Sequence, residues 1–293
     1  MLRHIPVLAQ EIYDYLPQWW VDWFDGTFWH WGHAEFFLSH EKEKRSLDWM
    51  MIIWTDVDVR MINKARELTK NYADYIDIKH CSYADIQNLW KSFDYELLDL
   101  WVNLEHFKDW SRWFSIKEDA PLDMRFNQES WITAEEWLQK SSWEVIMNAL
   151  IKYGDFSEKT SEYLSKLFIE ERKKNPFKTT FSLKDFLLHH HFNQKKIAVI
   201  FQVIRIMVNQ ELDQLEKFLV DFPWTLKKGW RCFIITYHSV EDRITKNAFK
   251  ALSEGWEFVL INKKVIVPHY TEVQKNKAAR SAKLRIIEKL YNY

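Results

Sequence analysis

The first hundred residues alternate short β-rich runs with segments whose apolar positions recur near every 3.6 residues. The runs at 21–24, 50–54, 75–79 and 95–100 are dense in Val, Ile, Tyr, Phe, Trp and Leu and are predicted as strands. Between them, 34–39, 59–71 and 83–91 carry helix-forming residues with a helical apolar period. The order β-α-β-α-β-α-β specifies βαβ units around a parallel sheet.

From about residue 109 the pattern changes. A polar, Trp-containing loop leads into helical patterns at 133–139, 143–153, 157–173, 183–190 and 197–219. Thr133 and Glu136 have the spacing of a capping box, and Ser157 followed by Thr160 and Glu162 is a weaker helix start. Strand character returns at 232–237, then a helix at 240–252 and strands at 258–261 and 284–288. The expectation is an α/β protein. Residues 1–108 and 207–293 form a Rossmann-like sheet domain, completed as a parallel sheet by the C-terminal part. Residues 109–206 form an inserted all-helical domain, with a cleft between the two. No repeat or low-complexity segment interrupts this reading.

Composition adds limits. The chain has 293 residues, of which 47% are hydrophobic and 28% charged, which suffices for a substantial core. With 41 Lys and Arg against 42 Asp and Glu, no global basic field announces a nucleic-acid partner, although local patches can still serve one. Cys81 and Cys232 are too few for a disulfide framework or a cysteine zinc site and read as buried small apolar residues. His189, His190 and His191 point in different directions around a helix with no acidic residue spaced to complete a site, so no metal is expected. No apolar run approaches the roughly 18 residues of a membrane span, and the start lacks a signal-peptide pattern, so a soluble, cytoplasmic protein is expected. One figure is abnormal: 5 Gly beside 17 Trp, where ordinary glycine usage is about 7%.

In an open α/β sheet, ligands bind beyond the carboxyl ends of the strands. The first such loop reads Asp25-Gly26-Thr27-Phe28-Trp29-His30-Trp31-Gly32-His33. Asp56 and Asp58 follow the second strand, where a carboxylate can accept from a ribose or simply cap a helix. Tyr83 and Asp85 follow the third strand, and Asp99 closes the fourth, as an active-site group or as a loop-capping carboxylate.

Ordered along the chain, further stretches resemble the RsmH/MraW methyltransferases. His4-Ile5-Pro6-Val7-Leu8 is similar to H-x-P-V-L, and Asp25-Gly26-Thr27 with Gly32-His33 to D-G-T-x-G-x-G-G-H. Asp56 and Asp58 match D-x-D, and Leu97-Leu98-Asp99-Leu100 matches the start of L-L-D-L-G-V. Pro121-Leu122-Asp123-Met124-Arg125 resembles G-P-L-D-M-R, and 201–212 resembles F-Q-x-x-R-I-x-V-N-x-E-L. His238-Ser239-Val240-Glu241-Asp242-Arg243 is similar to the end of F-H-S-L-E-D-R, and 276–285 to N-x-R-A-R-S-x-x-L-R.

The resemblance implies a Rossmann-like methyltransferase that uses S-adenosylmethionine to methylate the exocyclic N4 amine of a cytidine in the decoding region of 16S ribosomal RNA. It also implies the small ribosomal subunit as partner. Carried over by position, Trp31, Gly32, His33, Asp56, Tyr83, Asp99 and His106 hold the cofactor; His106 stands where the family has glutamine. Asp99 lies near the reacting amine. Arg125, His238 and Arg243 are candidates for the target base and its phosphates. Lysines and arginines at 172–178, 195–196 and 275–285 are candidate RNA contacts.

The chain departs from the family at glycine. Trp29, Trp31, Trp54, Trp101, Trp113 and Trp230 stand at positions where the family has it. Glycine there lets a ligand approach the main chain with no Cβ in the way. Indoles at 29, 31 or 101 therefore predict weak or absent cofactor binding. The alternative reading is an inactive RNA-binding or ribosome-assembly protein of the same fold.

Overall fold

The computed structural model describes residues 6–16, 22–27, 32–42, 50–100, 118–129 and 132–291. The chain divides into two compact units: Met1–Trp101 with Asp213–Tyr293, and Val102–Leu212.

The first unit is built on a seven-stranded sheet with strand order β3-β2-β1-β4-β5-β7-β6. In sequence the strands are β1 (Asp22–Asp25), β2 (Met51–Asp56), β3 (Ile76–His80), β4 (Phe93–Asp99), β5 (Leu226–Thr236), β6 (Phe258–Leu260) and β7 (Lys283–Lys289). β1 to β5 pair in parallel. The C-terminal part does not complete a parallel sheet: β7 runs antiparallel to both β5 and β6. An antiparallel neighbour needs no crossover helix, and the β6–β7 connection carries only the short helix Tyr270–Lys275 and a single 3-10 turn.

Period-two side-chain alternation explains why the central strands are buried on both faces. Along β1 and β4, Trp23 and Tyr95 share one face at 5.2 Å between ring centroids, and Phe37 packs on both. Phe24 turns to the other face, where it meets Phe93 and Phe218, and Phe218 stacks on Phe222. Burying each such ring contributes about 1.5–3 kcal/mol.

The second unit is helical among its described residues: Ala134–Lys140, Trp143–Gly154, Glu158–Lys174, Thr180–His189 and Gln194–Asn209. Thr133 and Glu136 form the expected capping box, and Ser157 caps the helix it precedes. Leu122, Met124, Trp137, Leu150, Leu164, Phe168, Leu183, Phe201 and Ile204 belong to its core.

The helical pattern at 197–219 is two helices, Gln194–Asn209 and Glu211–Thr225, divided by Gln210 in the left-handed region at φ 51°. The residues around the break explain it. Arg205 clasps Glu211 through two bonds of 2.8 and 3.0 Å. Buried Asn209 accepts from the Phe126 N–H and donates to the Met124 and Arg205 carbonyls. The helix before the break buries its apolar face in the helical core, so the second junction falls at 212/213 rather than at 206/207.

Candidate active site

The parallel register brings three acids to one edge of the sheet. Asp25 pairs with Trp54 and with Leu97, Asp56 with His80, and Asp99 with Ile235, all at the carboxyl ends of their strands. The turn after β1 is tied to its neighbours: the Gly26 N–H donates to the Leu97 carbonyl, the Thr55 hydroxyl donates to the Gly26 carbonyl, and the Asp99 N–H donates to Thr27 Oγ1 at 2.9 Å. Gly26 is required there, since a Cβ would sit 2.7 Å from Tyr83 Cβ and collide with Leu98.

Asp25 is 3% exposed. Burial pushes its carboxyl up to about 8, against the pull of the Trp54 indole and the Thr27 N–H and with a further push from Asp99. The two acids after β2 have separate tasks. Asp58 accepts from the Arg60 N–H at 2.9 Å and caps the helix Val59–Leu68. Asp56 accepts from the Asp58 N–H at 2.8 Å and remains at the sheet edge, where burial, with the Asp58 charge adding, raises its carboxyl to about 7.

Gly32 and His33 open the helix Gly32–Lys42. His33 Nε2 lies 2.9 Å from the Val7 carbonyl, so that nitrogen carries the proton and donates, and Nδ1 faces Asp99 Oδ2 at 3.9 Å. Tyr83 follows the Ser82 cap of a short 3-10 helix and sets its ring edge-on to Phe218 at 6.0 Å. Asp99 is 2% exposed, and its charge bears on the buried Tyr237 hydroxyl.

Other candidates are engaged in the fold. His238 is the cap of the helix Ser239–Glu254, accepting from the Glu241 N–H at Nδ1, with Nε2 2.9 Å from Glu241 Oε1. Arg243 is exposed in the same helix. Arg125, in the helical unit, grips Asp123 through bonds of 2.7 and 2.9 Å and also donates to the Gln128 carbonyl. Among the basic residues, Arg172 caps the helix Ala134–Lys140 by donating to the Leu138 and Ser141 carbonyls, and Lys283 and Arg285 pair with Asp242. These three are structural ion pairs or caps.

The structure thus gathers Gly32, His33, Asp56, Tyr83, Asp99 and His238 in the sheet unit and places Arg125 in the other. Trp31, His106, Trp29, Trp101 and Trp113 lie outside the described residues. Trp54 is 1% exposed within the apolar core. Two groups around Asp99 escaped the sequence reading: Thr27, which anchors its N–H, and Tyr237, whose hydroxyl its charge bears on. Tyr237 lies two residues beyond Ile235, which pairs with Asp99, and strand alternation could have indicated it. Among the described residues no cluster of His, Cys, Asp and Glu could hold a metal ion, and no helix is long and apolar enough to cross a membrane.

The donor set suits a nucleoside sulfonium: a carboxylate at Asp56 for ribose hydroxyls, a buried carboxylate at Asp99 for N–H groups, and a ring at Tyr83. The sheet, with antiparallel β7 between β5 and β6, carries acids at the ends of β1, β2 and β4, and the family match makes the protein an S-adenosylmethionine-dependent methyltransferase. Residues 1–290 match the MraW methylase family, and the chain belongs to it. It is 33% identical over 295 residues to the "Ribosomal RNA small subunit methyltransferase H" of Picosynechococcus sp., covering 98% of this chain and 96% of that one. It is 34% identical over 300 residues to the protein of the same name from Trichodesmium erythraeum, covering 99% and 100%. A solved putative rRNA-methylase from Clostridium thermocellum is similar at 10% identity and TM-score 0.45, over 98% of this chain and 100% of that one.

Proposed function

We propose that this protein transfers the methyl group of S-adenosylmethionine to the exocyclic N4 amine of a cytidine in the decoding region of 16S ribosomal RNA, acting on the small ribosomal subunit. The observation that carries the reading is the buried Asp99 at the end of β4, anchored by Thr27, with Asp56 two strands away on the same edge of the sheet. The relatives' names supply the RNA.

When bound, the donor supplies an electrophilic methyl group on a sulfonium, so alignment and desolvation carry most of the rate. Asp56 accepts from the ribose hydroxyls, Tyr83 packs beside the base, and Gly32 with His33 borders the methionine end. Asp99 accepts an N–H of the cytidine amine, which orients the nitrogen lone pair toward the methyl group. His238 and Arg243, in the sheet unit, contact the target nucleotide, and Arg125 is an RNA-phosphate contact of the helical unit. A chain that carries tryptophan at 29, 31 and 101 binds the donor more weakly than glycine-bearing relatives.

The test is incubation of the purified chain with small subunits lacking this modification and a radiolabelled donor, followed by mapping of the label. Label at one cytidine N4 supports the reading. Binding of the subunit without donor binding or transfer would instead identify an inactive RNA-binding protein.

A further inference from the structure

We propose that Tyr237 is a positioning residue for Asp99: its hydroxyl holds the Asp99 carboxylate in the orientation that meets the substrate amine. The inference rests on the assignment of Asp99 above.

Three observations carry it. Ile235 pairs with Asp99 in parallel register, so Tyr237, two residues on, leaves the strand on the face of Asp99. The Leu100 N–H donates to the Ile235 carbonyl at 3.0 Å, which locks the two strand ends together. Glu241, 3% exposed, accepts from the N–H groups of Tyr237 and His238 at 2.8 and 3.2 Å and so fixes the backbone that carries the ring.

The Tyr237 hydroxyl oxygen is fully buried, and a buried phenol requires a partner. The Asp99 carboxylate acts on that hydroxyl, and the register of β4 and β5 makes it the proposed partner. Burial pushes the Tyr237 hydroxyl up, and the carboxylates of Asp99, Glu241 and Glu272 push it further, so it stays a donor and does not compete for the proton. The groups facing Asp99 are Tyr237 from the end of β5, His33 from its helix and Asp25 from β1.

The experiment is Tyr237→Phe, which keeps the ring, compared with the parent and with Asp99→Asn. Carbon NMR of the Asp99 carboxyl in ligand-free protein is read first, with Asp99→Asn assigning the signal. Loss of the donor should raise the titration midpoint by about one pH unit. In transfer assays, the acid limb of the rate profile should move up equally, and kcat should fall about 10- to 100-fold with the donor KM little changed. An unchanged Asp99 titration in a folded Tyr237→Phe protein overturns the proposal. A shifted titration with an active Asp99→Asn would leave the hydrogen bond standing and overturn the role of Asp99 instead.

The tryptophans carry a second, independent inference. Trp90 stands in the left-handed region at φ 51° and is 93% exposed, while Trp224 and Trp256 are 77% and 78% exposed. Tryptophan is normally well buried, and a bulky residue at positive φ is an outlier, whereas glycine suits such helix ends and turns. Tryptophan and glycine together number 22 of 293 residues, or 7.5%, close to the usage of about 7% ordinary for glycine alone. We infer that at many of these positions, 90, 224 and 256 among them, the cell that makes the protein inserts glycine, through a codon read as tryptophan in one genetic code and as glycine in another. Peptide mass spectrometry of the protein from its own cells decides. Glycine at these three positions is expected, and tryptophan at all three overturns the inference.

Discussion

Thr27 Oγ1 accepts a 2.9 Å hydrogen bond from the backbone N–H of Asp99, so the loop after β1 and the end of β4 are held as one unit. Thr27→Val keeps the shape and removes the acceptor, leaving a buried N–H unpaired. The expected cost is about 1–3 kcal/mol in unfolding free energy, measured by denaturant titration, with donor affinity reduced in the same variant. Unchanged stability and affinity would show that the bond does not hold the site.

Asp25 makes stability depend on pH. Its carboxyl titrates near 8 in the folded protein against 3.8 in the unfolded chain, so the folded state holds the proton more tightly. The contribution is therefore fully present below about pH 4 and is lost as pH rises from about 4 to about 8, by at most about 1.4 kcal/mol per pH unit. Asp25→Asn should flatten that slope and melt higher than the parent at pH 8.5. Parallel melting curves for the two proteins across this range would refute the assignment.

Asp56, titrating at about 7, should make donor affinity rise with pH. Above that value it is a carboxylate, the stronger acceptor for ribose hydroxyls. Calorimetry with the demethylated product at pH 6 and pH 8.5 should show tighter binding at the higher pH. Asp56→Asn should bind more weakly, and equally at both.

In the helical unit, Asn209→Ala removes one acceptor and two donors at a buried site. A loss of about 2–4 kcal/mol is expected, read as a lower melting temperature. A change within experimental error would mean that the Arg205–Glu211 clasp alone maintains the break at Gln210.

The strands were legible because buried parallel strands advertise themselves as dense apolar runs, and the caps at Thr133 and Ser157 because their signature is local. The antiparallel direction of β7 was not, since strand direction depends on the length and course of the connection. Neither was the break at Gln210: the apolar period runs through it, and only the tertiary partners of Arg205 and Asn209 reveal it. At the site, Asp56 and Asp99 follow from strand ends and the Asp58 cap from a local bond to the Arg60 N–H, but the placing of Tyr237 on the face of Asp99 depends on register between strands far apart in sequence.

The position of β7 has a consequence for synthesis. It follows every other strand in the chain, yet it lies between β5 and β6 in the sheet. The helical unit is a continuous stretch whose contacts are local, whereas the sheet waits for a strand separated from β1 by nearly the whole chain. Long-range pairing is slow, so on the translating ribosome the helical unit is complete first. The strands that present Asp25, Asp56 and Asp99 gain their final support only when 283–289 have emerged. A nascent chain that has not yet released 283–289 therefore still has an unfinished sheet around Asp25, Asp56 and Asp99.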